Sequence, residues 1–181
     1  MITENNKTSF GSIVKLPKTV PSYQRDFVWN QDDVTDFIDS LFDASNENRE
    51  FYFCGSMVLF QNSDKIYEVV DGQQRSIVIH TLVSHLFNSL PDQTDIDFFK
   101  YSTVCSKDFE EKVTYNFSHS EKNINYFLSA VSDGTANRPS TANDSAILKS
   151  LYDCSEGIKS FVDDKLKSKK EIKKFLAFIL D

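Results

Sequence analysis

The sequence predicts an α+β domain: a small sheet with flanking helices, followed by a helical extension. Three observations carry that class. Apolar residues recur at helical spacing in several separate segments. Two runs rich in β-branched and aromatic residues, 51–60 and 65–70, are joined by a short polar turn. The second half of the chain is dominated by further helical patterns.

The elements follow in chain order. Residues 1–12 are polar. Residues 13–20 carry β-branched side chains around Pro17 and read as a short edge strand. A helix starts after Asn30, a good N-cap, with Asp32 and Asp33 in the first turn, where the helix dipole favours negative charge. Val34, Phe37, Ile38, Leu41 and Phe42 form one apolar stripe on it. The polar residues 45–50 end it. Residues 51–60 read as a strand interrupted at Gly55 and Ser56, and 65–70 as its hairpin partner, which makes the sheet mainly antiparallel. Asp71 and Gly72 close that strand. A helix then covers 73–90, burying Ile77, Val78, Leu82, Leu86, Phe87 and Leu90, until Pro91 stops it. Residues 113–117 form a short strand, 121–131 a helix and 132–144 a loop. Residues 145–166 and 170–180 are two more amphipathic helices.

Composition narrows the function classes. The chain has 181 residues, 40% of them hydrophobic and 26% charged, a globular composition. A chain of this length buries roughly 70% of its unfolded surface, enough for a core without metal or disulfide staples. No apolar run approaches the ~20 residues that span a bilayer, and no secretory leader pattern is visible. The expectation is a cytoplasmic protein without a membrane partner. A net charge of −7 argues against a protein that grips nucleic acid by bulk electrostatics. Cys54, Cys105 and Cys154 have no zinc or CxxC spacing and read as reduced thiols. His80 and His85 lie five apart on one helix and do not form a ligand pair on one face; with His119 they read as ordinary residues.

Two segments concentrate polar side chains among apolar ones. The first is Tyr23-Gln24-Arg25, followed by Phe27 and Trp29. The second, Asp71-Gly72-Gln73-Gln74-Arg75, lies where a strand turns into a helix. First-turn N–H groups of a helix form an anion site. Gly72 permits close backbone approach. Arg75 can fork onto a phosphate, and Gln73 and Gln74 can hydrogen-bond without adding charge. Asp71 can position water, hold a metal-bound water or orient an arginine; it can also simply cap the helix.

The order PSYQRDFVW, FCGSMVLF, EVVDGQQRSIVIHTLV resembles the N-terminal domain of GmrSD-type restriction endonucleases, of the ParB/sulfiredoxin-like superfamily. The resemblance is close over about 13–90 and looser to the end of the chain. It implies a ParB-like nucleotide-binding core at 1–90 and a mostly helical extension at 91–181. It further implies a regulatory module of an anti-phage defence protein that binds and hydrolyses a nucleoside triphosphate with a divalent metal, Mg. By that resemblance Asp71 and Arg75 are catalytic. Gln24, Arg25, Gly55, Ser56, Gly72, Gln73, Gln74 and Arg75 bind the nucleotide and its phosphates, and Tyr23 and Trp29 support them by packing. No metal ligand is assigned. The alternative is a non-hydrolysing module that recognises DNA or a modified base. Sulfiredoxins carry a reactive cysteine in this turn. None is present here, so sulfinic-acid reduction is not expected. The partners implied are a nucleotide, a C-terminal nuclease domain or subunit, and DNA through the full-length protein. The nuclease is expected beyond Asp181. The lysine-rich stretch 159–174, with a local charge of +4, reads as a solvated helix face that can also touch nucleic acid.

Overall fold

A computed structural model describes residues 8–14, 16, 18–90, 117–119, 122–132, 134–135 and 146–180. Ten elements follow one another. They are α1 (Phe10–Val14), β1 (Lys18–Val20), α2 (Gln31–Asn46), β2 (Val58–Gln61), β3 (Tyr67–Asp71), α3 (Gln73–Asn88), β4 (Phe117–His119), α4 (Lys122–Ser132), α5 (Ala146–Lys165) and α6 (Lys169–Leu180). The expected α+β architecture, a small sheet with flanking helices, is the one observed, and the sheet is mixed.

The sheet runs β2-β3-β1-β4. Its make-up corrects two expectations. β1 is an inner strand, not an edge, and two of the three pairings, β1 with β3 and β1 with β4, are parallel. Only the β2–β3 hairpin is antiparallel. The reason lies in α1. Residues 10–14 are helical, and β1 shrinks to three residues placed after Pro17. Lys18 then donates to the carbonyls of Ile13 and Leu16, both at 2.6 Å, and ties the end of α1 to the strand start. The hairpin turn is closed by Asn62, whose Oδ1 accepts from the amides of Asp64 and Ile66, each at 3.0 Å.

α2 starts as its sequence predicts. Asn30 Oδ1 accepts from the Asp33 amide and Asp33 Oδ2 from the Asn30 amide, both at 3.0 Å, a reciprocal capping box. The predicted stripe faces inward. Val34, Ile38 and Leu41 are buried, and Phe37 and Phe42 pack on the core.

α3 is the central element. Thirteen of its sixteen residues are buried, the pattern of a helix enclosed on all sides. It packs against α4, α5 and α6. Its polar side chains find partners inside. Ser76 and Thr81 donate to Gly72 and Ile77 carbonyls, His80 bonds the Leu128 carbonyl, and His85 bonds Ser155. α5 and α6 bury Leu151, Ile158 and Val162, and Ile172, Phe175, Leu176, Ile179 and Leu180, as their spacing predicts. Of the strand expected at 113–117 only Phe117 is described, as the first residue of β4; 113–116 and most of the loop expected at 132–144 lie outside the described residues.

Candidate functional site

The β3–α3 junction and the 23–29 segment come together. β3 delivers Asp71 at its end, exposed, with its backbone paired to β2. Gly72 follows in the left-handed region, φ 88°, and α3 begins with no side-chain cap. The first-turn amides of Gln73, Gln74 and Arg75 thus gain no side-chain acceptor from the N-cap residue. Helix polarity adds partial positive charge there.

The two glutamines reach across to the other segment. Gln73 Nε2 donates to the Arg25 carbonyl at 2.5 Å. Gln74 Nε2 donates to the Asp26 carbonyl at 2.9 Å, while its Oε1 accepts from the amides of Val28 at 2.9 Å and Trp29 at 3.4 Å. Both side chains are buried. They fix the backbone of 25–29 against the start of α3. Gln24 Nε2 donates to the Val70 carbonyl at 2.9 Å, and Tyr23 donates to Glu68 at 2.9 Å, an acceptor that raises the phenol pKa. The Arg25 side chain projects into solvent. Gln73 Oε1 is buried and has no hydrogen-bond partner.

Arg75 clamps a third segment. Its Nη1 donates to the Cys54 carbonyl at 2.6 Å and its Nη2 to the Ser56 carbonyl at 2.7 Å. Gly55, at φ 94°, lies directly on the guanidinium. Residues 51–57 are thus not the regular strand expected there; β2 begins only at Val58. Pinning by Arg75 replaces ladder bonds. The clamp uses two of the five guanidinium N–H groups. Burial raises the Cys54 thiol pKa, only partly offset by the Arg75 charge, so the thiol stays protonated at neutral pH.

Trp29 acts as the support expected of it. Its ring is half-buried, edge-on to Phe37 at 5.5 Å. Its carbonyl accepts from Ser150 Oγ at 3.1 Å, with Cys154 Sγ at 3.8 Å. Sequence reasoning missed this tie, because nothing local in α5 marks Ser150 for it. The same helix lines a groove of about 580 Å³ with Asn30 and Gln31, separate from the predicted site residues. The lysine run lies along the α5–α6 corner, where Lys165, Lys167, Lys169, Lys170 and Lys174 are exposed. There Glu171 is drawn back to cap α6 through Ser168.

The family model for the GmrSD restriction endonuclease N-terminal domain matches residues 5–181. The chain belongs to that family. No curated protein matches it. The GmrSD domain thus carries, as its sequence suggested, the N-terminal module of a restriction-type protein. Among its described residues no helix is long and apolar enough to cross a membrane. Nor do three or more His, Cys, Asp or Glu side chains gather into a metal cluster there.

Proposed function

We propose that this GmrSD domain binds a nucleoside triphosphate over the first turn of α3 and hydrolyses it, as a switch for a restriction nuclease. One observation carries the reading. The central helix of the fold begins uncapped, behind a left-handed glycine, at the place where a second polar segment is docked. A phosphate oxygen satisfies such amides. Arg25, exposed on the docked segment, and Arg75 of the first turn would supply the positive charge a triphosphate needs. Gly55 and Ser56 bring their backbone to the edge of the same junction.

Asp71 has the exposure needed to hold a magnesium ion or to orient the attacking water. A lone carboxylate fits magnesium, which is usually held by one or two carboxylates together with substrate phosphates. When bound, the ion neutralises charge on the phosphates. The protein's own part is to position them, to donate amide and guanidinium N–H groups, and to hold the water through the Asp71 carboxylate. DNA and the nuclease belong, in this reading, to the full-length protein.

Calorimetric titration with ATP, GTP and CTP, each with magnesium, tests the proposal. Expected is saturable binding, lowered at least tenfold in Arg25→Ala. Asp71→Asn is expected to keep binding and lose phosphate release. Absence of binding by the unaltered protein, or undiminished hydrolysis in both variants, refutes it. If duplex DNA binds at the same residues with no nucleotide turnover, the recognition module replaces it.

A further inference from the structure

We propose that Phe53 is the platform on which the base of that nucleotide stacks. The inference rests on the nucleotide reading and narrows the ligand to one carrying a flat aromatic base, read by its face.

Residues 51–54 alternate. Tyr52 and Cys54 pack partly buried against the core, whereas Phe51 and Phe53 turn outward, 69% and 77% exposed. Phe53 is the most exposed large hydrophobic side chain among the described residues. An isolated exposed apolar residue is ordinary on a surface. This one stands on a backbone that is rigidly held. Its neighbour Cys54 gives its carbonyl to Arg75 Nη1 at 2.6 Å, and Ser56 gives its own to Nη2 at 2.7 Å. Arg75 belongs to the first turn of α3, so the segment bearing Phe53 is fixed to the same turn that starts without a side-chain cap. Along extended chain, two residues from Gly55 to Phe53 span roughly 7 Å.

The 23–29 segment, held to the same turn, also carries exposed apolar groups. Val28, 58% exposed, has its amide held by Gln74 of the same turn, and Tyr23 is 64% exposed on that segment. A charged turn flanked in the chain by exposed apolar residues suits a phosphate joined to a base. An aromatic face recognises any base, because every base has a π-surface. The platform therefore predicts tolerance among bases rather than selection of one.

The test uses the whole chain, as wild type, Phe53→Ala and Phe53→Trp, titrated with magnesium and either ATP, CTP or inorganic tripolyphosphate. Wild type is expected to bind both nucleotides more tightly than tripolyphosphate. Phe53→Ala is expected to weaken both nucleotides tenfold to a hundredfold and leave tripolyphosphate unchanged. Phe53→Trp is expected to restore nucleotide binding and to show fluorescence quenching with ATP but not with tripolyphosphate, after subtraction of the Trp29 signal. A Phe53→Ala protein that binds ATP as wild type does overturns the platform alone. So does one whose sole change is in sedimentation, which assigns Phe53 to self-association. A wild type that binds neither ATP nor tripolyphosphate overturns the nucleotide reading, and the platform with it.

Discussion

Gly55 and Arg75 are in contact so close that no side chain fits between them. A Cβ built on Gly55 stands 1.6 Å from Arg75 Nη1 and 2.8 Å from Cζ. The glycine and the arginine lie in separate motifs of the sequence, yet each requires the other. The arginine straightens across the segment only because the glycine leaves it room, and that segment keeps its place only because the arginine bonds the carbonyls on either side.

Gly55→Ala therefore costs stability twice. Its φ of 94° lies where an L-residue is strained, and the methyl drives the guanidinium off Cys54 and Ser56. Together these predict a loss of about 2–4 kcal/mol in urea unfolding. In Gly55→Ala/Arg75→Ala the clash is absent, so the double variant is expected to lose less than the sum of the singles. Additive losses in the double-mutant cycle contradict the clamp.

Gln74 is expected to matter as a splint for the 26–29 backbone. Gln74→Ala strips acceptors from the amides of Val28 and Trp29 and a donor from the Asp26 carbonyl. Leaving such groups unpaired costs about 2–3 kcal/mol. Gln74→Glu is expected to be no better, since its second oxygen faces the Asp26 carbonyl. Trp29 is the single tryptophan and half-buried, so its emission reports the change. A native emission maximum and urea midpoint in Gln74→Ala contradicts the role.

The helices were legible because their stripes are local: Asn30, Val34, Ile38 and Leu41 already show a cap and a face within α2. β1 was not legible as an inner strand. Lys18 and Thr19 gain their place from Tyr67 and Glu68 on one side and Phe117 and Ser118 on the other, partners remote in the chain. The polar segments were legible as a pair. What they do to each other was not, because Gln73 and Gln74 grip backbone carbonyls 48 residues away. A main-chain acceptor leaves no trace in residue identity, and the Ser150 bond to Trp29 was hidden for the same reason.

Acid is expected to weaken the fold through α3. Burial lowers the His80 pKa to about 3 and the His85 pKa to about 4; at His85 the Lys159 charge lowers it further, against Asp163. Both folded values lie below the ordinary 6.5, so the unfolded chain takes up these protons first as pH falls. Their stabilising contribution is complete above pH 6.5 and is lost as pH falls from 6.5 to about 4 at His85 and to about 3 at His80, by at most ~1.4 kcal/mol per pH unit for each histidine. His85→Gln keeps a hydrogen-bonding group near Ser155 and removes one titration. Its stability against pH is expected to be flatter by about one proton over that window. An unchanged slope contradicts the assignment.

Gly72 separates the needs of folding from those of the ligand. A Cβ there meets Met57 Cγ and the Ser56 carbonyl at 3.4 Å, which is ordinary contact, so crowding adds little. The cost of Gly72→Ala is the left-handed backbone, about 1–2 kcal/mol. Asn tolerates that conformation better than Ala, so Gly72→Asn is expected to recover part of the loss. Affinity follows different physics. In the nucleotide reading the phosphate approaches the backbone at Gly72, where any side chain would crowd it. Both variants are therefore expected to bind nucleotide at least tenfold more weakly, whatever their melting temperatures. If affinity instead tracks stability, recovering in Gly72→Asn, then Gly72 serves only the turn and the phosphate does not sit over it.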